Sequence, residues 1–294
     1  GAASGSTGYG VEVRNGSVTI SDSHIRDIAD YGVNVSSDGS ATVENTTIRN
    51  AGDGLYSDGG PLNVTDGTSV ENALTGITSL GPLTVSNMSI DDTTDGGIAA
   101  GDDTTVRDTV ITGTAYTQSG VFLAGDATRT VTNVTIRNVG GGSDVDGYGI
   151  DVRDGAATVT DSRIRNTSVA GITVTQNASV RVRTSNVTDT PVGIRTGEGA
   201  DVANSQIRYT RFGETDIAVA NDDPSTTLDA IQNYYGSGCA APQVGGNGEV
   251  AVRPMIHNAS RAGPDAIGSE EAGGANFPYC LAFDDGDTYA LGFP

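Results

Sequence analysis

A glycine followed by an apolar residue recurs about every 22 residues over most of the chain. These repeat glycines are Gly10, Gly32, Gly54, Gly76, Gly97, Gly120, Gly149, Gly171 and Gly193. Seven of the eight spacings are 21 to 23 residues long, and the spacing after Gly120 is 29. A period this short and regular is typical of repeat proteins, so it constrains the fold before any single residue is interpreted.

Each repeat also contains two apolar residues five positions apart. These pairs are Ile20/Ile25, Val43/Ile48, Val85/Ile90, Val106/Ile111, Val131/Ile136, Val159/Ile164, Val182/Val187 and Val202/Ile207. Alternating apolar and polar residues, as at positions 17–20 and 158–160, predict short half-buried strands. No stretch of the sequence shows sustained helical spacing.

A unit of 22 residues is too small to bury an apolar face alone, so neighbouring units must stack on one another. The sequence therefore predicts an all-β solenoid, a parallel β-helix of about ten coils between residues 9 and 235. At the usual strand spacing, ten coils would form a rod about 48 Å long. The leucine-rich repeat has a similar period, but its Leu-x-x-Leu-x-Leu ladder and its helices are missing from this sequence.

The repeat predicts one β-helix over residues 1–238 and an irregular C-terminal cap or assembly tail over residues 239–294. The tail is rich in Gly and Pro and contains several aromatic residues, namely Phe277, Tyr279, Phe283, Tyr289 and Phe293. Both cysteines of the chain, Cys239 and Cys280, also fall in it. A disulfide between them would stabilise the loop by about 3 to 4 kcal/mol and would agree with an extracytoplasmic location. Two buried free thiols are the alternative.

The charge balance is strongly acidic, with 37 Asp and Glu residues against 16 basic residues, all of them arginine. A net charge of −21 would be repelled by nucleic acids and by anionic membrane surfaces, so neither is an expected partner. No apolar run reaches the roughly 18 residues that a membrane span needs. The composition resembles that of haloarchaeal proteins, whose self-repulsion is screened by salt. Codon bias combined with surface solubility is the alternative explanation.

Asn-x-Ser/Thr sequons occur at Asn15, Asn34, Asn45, Asn63, Asn87, Asn133, Asn166, Asn177, Asn186 and Asn258. The repeat itself generates such sequons, because Ser and Thr alternate along strands while Asn lies in turns. Surface turns are also where N-linked glycans are attached. The sequence therefore predicts glycans on several of these sites.

Two columns of polar side chains are predicted along the coils. The first is an Asn/Asp column made of Asp27, Asn50, Asn72, Asp92, Asn138, Asn166, Asp189 and Asn233. These residues tolerate the left-handed backbone of tight corners, which indicates a structural ladder. The neighbouring column holds Arg26, Arg49, Arg137, Arg165 and Arg208, interrupted by Glu71 and Asp91. Surface ion pairs are the expected role of these arginines, with binding of sugar carboxylates as the alternative.

The long glycine spacing comes from an insertion around residues 139–148, and loops are where solenoids usually carry function. Asp144 and Asp146 in this loop, together with the nearby Asp151, offer oxygen ligands for a hard cation. We therefore consider Ca²⁺ as a candidate ion and expect no other cofactor. A flexible acidic loop is the alternative. A similar acidic cluster in the tail consists of Asp284, Asp285 and Asp287.

The repeats end in Asn-Tyr-Tyr-Gly-Ser at residues 233–237, followed by Pro242 and by Val-Ala-Val-Arg-Pro-Met at residues 250–255. The repeats resemble right-handed parallel β-helix proteins of the pectate-lyase-like class. The ending resembles the Asn-Tyr-Trp-Gly motif of NosD-like surface and periplasmic proteins. The resemblance implies a right-handed coil but no single activity, because the class contains polysaccharide lyases, hydrolases and epimerases as well as viral tailspikes and adhesins.

No catalytic residue is predicted. A hydrolase of this class would need clustered Asp residues beside a His, whereas the chain has only His24 and His257, neither of them in a Gly-His-Gly setting. Asp151 and Arg153 could imitate part of a lyase site, but residues two apart on a strand are also the ordinary pattern of surface charge.

Three classes of function remain. We favour an extracellular structural or adhesive rod, glycosylated and without catalytic activity of its own, at a cell surface or in a virus particle. Its partners would be other surface or virion subunits, glycans, or a second copy of the chain. The alternatives are a polysaccharide-processing lyase or hydrolase and a periplasmic-type accessory binding module. The missing Trp and the scarce aromatics weigh against sugar hydrolysis, because glycan subsites commonly use aromatic faces.

Overall fold

The structure is a computed structural model that describes residues 8–114, 119–140, 147–236, 243–253 and 255–256, and the backbone of residues 279–282 and 288–290. Its internal contacts divide the chain into two compact units. The first unit comprises Gly1–Thr130 and Val134–Asp151, and the second comprises Val131–Asn133 and Val152–Pro294. The coils of both units consist of stacked parallel strands.

Short β-strands make up nearly all of the regular structure. In chain order they begin with β1 (Tyr9–Val13), β2 (Gly16–Ser21), β3 (His24–Arg26), β4 (Tyr31–Val35), β5 (Gly39–Glu44), β6 (Thr47–Ser57), β7 (Leu62–Thr65), β8 (Ser69–Ser79), β9 (Leu83–Ser86), β10 (Ser89–Asp91), β11 (Gly96–Ala100), β12 (Thr104–Arg107), β13 (Val110–Thr114), β14 (Ser119–Ala124), β15 (Thr128–Thr132), β16 (Thr135–Val139) and β17 (Tyr148–Arg153). They continue with β18 (Ala156–Thr160), β19 (Arg163–Thr167), β20 (Ala170–Thr175), β21 (Ser179–Arg183), β22 (Asn186–Thr196), β23 (Gln206–Arg208), β24 (Arg211–Asn221), β25 (Leu228–Asp229), β26 (Val244–Gly245), β27 (Val250–Ala251), β28 (Met255–Ile256), β29 (Tyr279–Ala282) and β30 (Thr288–Ala290). A short 3-10 helix lies at Val202–Asn204.

The strands of the first unit stack in parallel, coil on coil. One series runs β2-β5-β7-β9-β12, and another begins β1-β4-β6-β8. The register is regular, with Val33 opposite Leu55 and Leu55 opposite Ile77. The long strand β8 pairs with both β10 and β11, two strands of the next coil. This arrangement confirms the predicted all-β parallel β-helix.

The second unit has the same parallel organisation. One series runs β18-β21-β23-β25-β27, and β22 pairs with β19, β20 and β24. Strands β26 and β27 pair in parallel with β24 and β25, so the parallel pairing continues beyond residue 238. The predicted domain boundary between residues 238 and 239 lies outside the described residues and stays a prediction. The predicted C-terminal segment contains a small antiparallel sheet of β28, β29 and β30.

The apolar pairs spaced five apart line the interior of the coils, and their side chains are buried apart from the partly exposed member in β3. One predicted pair is wrong in its register. Ile207 lies opposite Val182 and so takes the first position of its coil. Phe212 lies opposite Val187 and takes the second position. Val202 is buried but belongs to the 3-10 helix.

The repeat glycines lie where the coils leave no room for a side chain. A Cβ atom at Gly76 would stand 2.5 Å from the carbonyl oxygen of Gly97 in the next coil and 2.7 Å from Cγ2 of Ile90. Equivalent overlaps would occur at Gly10, Gly32, Gly54, Gly97, Gly120, Gly171 and Gly193. The recurrence of glycine therefore follows from the close approach of successive coils to each other and to the interior apolar residue.

Asn and Asp residues form one corner of most coils, as predicted. The φ angles lie between 53° and 58° at Asp27, Asn50, Asn72, Asp92, Asn138, Asn166 and Asp189. Side chains join successive corners, since Nδ2 of Asn50 donates to Oδ1 of Asp27 at 2.8 Å. The assignment of Asn233 to this column is wrong. Glu214, with a φ of 54°, follows Asp189 in the column because the flanking residues pair in register.

A second left-handed corner follows the other series of strands and was not among the predictions. Its members are Asp22, Asn45, Asp66, Asn87, Asp108, Asn133, Asp161, Thr184, Tyr209 and Gln232. Side chains again join successive coils, with Nδ2 of Asn45 donating to Oδ1 of Asp22 at 2.6 Å. Asn and Asp are the side chains that adopt this conformation most readily, so two corners in each coil account for many of the polar residues in the sequence.

Asn233 instead holds the last coils together, just before β26 and β27 add the final parallel pairs. Its fully buried side chain accepts a hydrogen bond from the backbone N–H of Thr210 at 2.8 Å. Its amide group donates to the carbonyl oxygens of Ile207 and Ala230 at 2.9 and 2.8 Å. One side chain thus satisfies three backbone groups that water does not reach.

Tyr235 completes this motif. Its ring stacks on Phe212, with ring centroids 5.4 Å apart and planes inclined by 8°. Its hydroxyl donates to the carbonyl oxygen of Ala230 at 2.5 Å, and burial raises the pKa of that hydroxyl above its ordinary value. Asn233 and Tyr235 of the Asn-Tyr-Tyr motif therefore have a structural role near the end of the coils.

Arg129 is fully buried in the first unit, which the sequence analysis did not foresee. Its Nη2 atom donates to the carbonyl oxygens of Ala124 and Gly125. We expect Arg129→Gln to lower the free energy of unfolding by about 2 to 3 kcal/mol, because buried carbonyl groups lose charged donors. Arg107→Gln, at an exposed arginine of the same unit, should change it by under about 0.5 kcal/mol. Denaturant unfolding at fixed salt measures both, and equal losses would contradict the structural role of Arg129.

Candidate functional site

Three stacked tyrosines lie on the outer face of the first coils, on strands β1, β4 and β6. The ring centroids of Tyr9 and Tyr31 are 5.7 Å apart, and those of Tyr31 and Tyr56 are 4.4 Å apart. The ring planes are inclined by 8° and 16°. Asp53 lies opposite Tyr31 in the sheet, three residues before Tyr56. We call Tyr9, Tyr31, Asp53 and Tyr56 the tyrosine face.

The local strand pattern places these side chains on the outer surface. On β4, Tyr31 and Asn34 are half-buried, whereas Val33 between them is fully buried. The residue before a repeat glycine and the second residue after it thus both avoid the interior on this strand. Asn34 lies opposite Tyr56, so an amide group adjoins the tyrosine rings. Stacking makes this face rigid, since each aromatic pair contributes about 0.5 to 1.5 kcal/mol beyond its burial.

Asp53 is a half-buried carboxyl group within this face. Burial raises the pKa of the Asp53 carboxyl above its ordinary value, and the charge of Asp95 acts in the same direction. Hydrogen bonds from Thr78 and Thr75 oppose this shift, because they stabilise the ionised form. The carboxyl is therefore anchored by two hydroxyl groups and lies beside the aromatic stack.

Burial also affects the hydroxyl groups of Tyr31 and Tyr56. Burial raises the pKa of the Tyr31 hydroxyl, and the neighbouring Tyr56 and Asp53 act in the same direction. Burial likewise raises the pKa of the Tyr56 hydroxyl, with contributions from Asp58 and Asp53. Both phenols therefore keep their protons at neutral pH, where they can donate as well as accept hydrogen bonds. A row of hydroxyl, carboxyl and amide groups is suited to a ligand rich in hydroxyl groups.

The calcium candidate stays a prediction. Asp144 and Asp146 lie outside the described residues. Asp151 lies in β17 and is only 2% exposed, so it is not the surface charge that its spacing from Arg153 suggested. Within the described ranges, no three His, Cys, Asp or Glu side chains lie close enough together to hold a metal ion. The acidic cluster predicted in the tail, at residues 284–287, falls outside those ranges.

Most of the predicted glycosylation sites lie on the surface. The exposed asparagines are Asn15, Asn45, Asn87, Asn133, Asn166 and Asn177, and the half-buried ones are Asn34, Asn63 and Asn186. Asn258 lies outside the described residues. Five of the exposed asparagines have left-handed backbone, and four of them, Asn45, Asn87, Asn133 and Asn166, belong to the two corner columns. Their accessibility is compatible with modification, and occupancy of these sites stays a prediction.

The predicted disulfide also stays a prediction. Cys239 lies outside the described residues, and Cys280 is described only through the backbone of β29, opposite Met255. The aromatic residues of the tail fall in the same part of the chain, where Tyr279 and Tyr289 belong to β29 and β30.

The arginine column contains fewer members than predicted. Arg26 lies opposite Arg49, and Arg49 forms an ion pair with Glu71 at 2.9 Å, as expected for surface arginines. Arg208 is not in this column, because it lies opposite Arg183 in a different series of strands. It forms an ion pair with Asp229. The error has the same origin as the misplaced pair at Ile207, since both follow from one shift in register.

Sequence reasoning missed the tyrosine face, although the sequence contains a signal for it. Tyr precedes a repeat glycine at Tyr9 and Tyr31, at equivalent positions of consecutive coils. Tyr56 follows its repeat glycine by two residues and so occupies the other outward position. The outward positions of successive coils therefore carry the sequence signal for one aromatic surface.

The comparisons with known proteins agree with the strand pairing. The family model described as the right handed beta helix region matches residues 9–152. No curated protein and no solved structure shows significant similarity to the chain. No helix in the described ranges is both long and apolar enough to cross a membrane. Together, the family match over residues 9–152 and the stacked parallel coils support a right-handed parallel β-helix repeat protein.

Proposed function

We propose that this protein is an extracellular structural or adhesive β-helix protein that binds glycans through the tyrosine face. The observation that carries the proposal is the stack of Tyr9, Tyr31 and Tyr56 around the half-buried carboxyl of Asp53. Five percent of the chain is aromatic, so three stacked rings at one surface are a strong local concentration. The likeness to right-handed β-helix proteins is compatible with both surface and polysaccharide-related functions.

The chemistry of this face matches the hydroxyl groups of a saccharide. Protonated phenols donate and accept hydrogen bonds, and the Asp53 carboxylate accepts them. Hydrogen bonds to an ionised carboxylate are about twice as strong as neutral ones, so Asp53 supplies the largest single polar contribution. The groups stand on paired strands rather than on loops, which fixes their spacing before the ligand arrives and lowers the entropic cost of binding.

The acidic composition supports the location and setting that we propose. A net charge of −21 without lysine suits a surface exposed to concentrated salt, where the Debye length falls to about 3 Å. Exposed sequons on the coil corners support glycosylation of the protein itself. A cell surface or a virus particle provides both conditions, with other surface subunits or glycans as partners.

A polysaccharide-processing enzyme is the second candidate, and one observation favours it. The raised pKa of the Asp53 carboxyl is a property that a general acid requires, because such a group must hold its proton near working pH. Asp95 is close enough to influence Asp53 and would be the second carboxyl group of such a site. Release of reducing or unsaturated sugars from a bound glycan would identify this activity, whereas unaltered glycan supports adhesion.

A glycan array in molar salt, followed by affinity measurements on the glycans retained, tests the proposed function. We expect Asp53→Asn to weaken glycan binding at least tenfold, the equivalent of about 1.4 kcal/mol, because a charged acceptor is lost. Tyr31→Phe keeps the stack but removes a hydroxyl and should weaken binding about threefold to tenfold. Tyr234→Phe, at a half-buried tyrosine of the second unit, is the matched control and should leave the affinity unchanged. Binding that survives Asp53→Asn and Tyr31→Phe together would refute the tyrosine face as the glycan site.

A further inference from the structure

A cleft with a volume of about 440 Å³ lies on the first coils, beside strands β3 and β6. It is lined by His24, Ile25, Arg26, Thr47 and Arg49, which we call the cationic cleft. Three of these five residues carry nitrogen donors that can face an anion. The cleft is unusual for this chain, because acidic residues outnumber basic ones by 37 to 16.

The pairing of the strands brings two positive charges together in this cleft. Arg26 lies directly opposite Arg49 on adjacent coils, and both side chains are exposed. Like charges opposite each other in a sheet are destabilising unless a counter-charge separates them. Glu71 supplies that charge to Arg49 alone, through contacts from Nη2 at 2.9 Å.

Arg26 has no comparable partner within the part of the chain that the structure describes. Its neighbour Asp27 accepts a hydrogen bond from Asn50 at the coil corner and forms no ion pair with Arg26. The side chain of His24, two residues before Arg26 on the same strand, also makes no hydrogen bond to a described residue. An unpaired guanidinium and an imidazole therefore lie on one side of the cleft.

Thr47 adds a hydroxyl group between these cations. It lies opposite His24 on the adjacent coil, and its Oγ1 atom accepts a hydrogen bond from the Ser69 hydroxyl at 3.4 Å. Accepting from Ser69 leaves the proton of Thr47 available to a ligand in the cleft. A guanidinium fork, a hydroxyl and an imidazole are the donors that proteins use for carboxylate, sulfate and phosphate groups.

We infer that the cationic cleft is a binding site for an oxyanion group, which Arg26 holds together with His24 and Thr47. The anion neutralises the repulsion between Arg26 and Arg49 and occupies the space between the two strands. This site is separate from the tyrosine face and does not depend on glycan binding. The oxyanion comes either from a free inorganic anion or from a carboxylate of a second copy of the chain.

NMR spectroscopy of the full chain tests this site with sodium sulfate as the probe, added against sodium chloride at constant ionic strength. We expect the ring resonances of His24 to shift along a saturable curve, because sulfate binds beside the imidazole. The chain has two histidines, so the spectrum of His24→Gln assigns the signal. A shift that grows linearly with sulfate and does not saturate would overturn the inference.

Two arginine variants make the test specific. Arg26→Gln should weaken sulfate binding at least tenfold, whereas Arg107→Gln, at an exposed arginine of β12 in the same unit, should leave it within twofold. Both positions are exposed, so without sulfate the thermal midpoints of the variants should not fall below that of the parent, which shows that the fold is intact. If the His24 resonances of Arg26→Gln report the same sulfate affinity as those of the parent, the site is also refuted.

Sedimentation in the same titration distinguishes the two sources of the oxyanion. A chain that sediments as a monomer at every sulfate concentration supports a free anion as the natural ligand. A larger species that sulfate dissociates supports a carboxylate of a second copy, with sulfate competing for the cleft. Either result is compatible with the oxyanion site, which the His24 resonances test independently.

Discussion

Replacing Gly97 by alanine should lower the free energy of unfolding by about 3 kcal/mol, at the upper end of the usual cost of overpacking. The new Cβ atom would stand 2.4 Å from the carbonyl oxygen of Gly120 and 2.7 Å from Cγ2 of Ile111. The first of these atoms belongs to the backbone of the next coil and cannot rotate away. The coils must therefore move apart locally, which strains the hydrogen bonds of the neighbouring parallel strands.

The preceding residue provides a matched control. A Cβ atom at Gly96 would meet the carbonyl oxygen of Ser119 at 3.5 Å and Cγ2 of Thr75 at 3.9 Å, which are ordinary contacts. Gly96→Ala should therefore be neutral or stabilise the fold by about 0.5 kcal/mol, because alanine restricts the unfolded chain. Denaturant unfolding at fixed salt compares the two variants. Equal free energies of unfolding for the two variants would show that the close approach of the next coil is not the reason for glycine at position 97.

Much of this fold could be predicted because its determinants recur at a fixed spacing. Each coil repeats the same local packing requirements. They are met by glycine at Gly76 and its equivalents, by the interior apolar pairs and by the left-handed corners. A periodic requirement leaves a periodic pattern in the sequence. The parallel strands could therefore be inferred without knowledge of any side-chain contact.

The register error after Val187 has a physical cause. Phe212 pairs with Val187, so this coil is 25 residues long rather than 22, and the 3-10 helix at Val202–Asn204 lies within it. The buried side chain of Val202 imitates an interior residue of a strand. Ala218 stands where earlier coils have glycine, as the pairing of Ile194 with the following Val219 shows. Without the glycine, the sequence offers no marker for the change in length.

The candidate site could not be predicted in the same way, because it depends on contacts that do not recur. Tyr31 lies opposite Asp53 in the sheet, yet its ring stacks on Tyr56, three residues further along β6. Spacing alone indicates which residues point outward, but the direction in which each ring leans depends on its neighbours. Arg129 is a similar case, since a lone arginine in a strand predicts a surface position and its burial depends on two nearby carbonyl groups.

Asn233→Ala should lower the free energy of unfolding of the second unit by about 3 to 4 kcal/mol. The substitution leaves the Thr210 N–H and the carbonyl oxygen of Ile207 without their side-chain partner in a buried position, whereas the carbonyl oxygen of Ala230 keeps the Tyr235 hydroxyl. Each such group costs about 1 to 3 kcal/mol, and relaxation of the coil end reduces the sum. Asn204→Ala removes an exposed amide bonded to an acidic side chain and should cost under about 1 kcal/mol.

Asn233→Asp distinguishes the hydrogen bond that this side chain accepts from those that it donates, through the pH dependence of stability. A carboxylate still accepts from Thr210 but faces the carbonyl oxygens of Ile207 and Ala230 without a proton to donate. These contacts and burial would raise the folded-state pKa of the new carboxyl above the unfolded value of about 3.9. The stability of the variant relative to the parent should therefore be highest below that value and fall as the pH rises through the folded pKa. A difference from the parent that is independent of pH between about 4 and 7 would show that water reaches position 233, and that Asn233 does not hold the last coils together through buried hydrogen bonds.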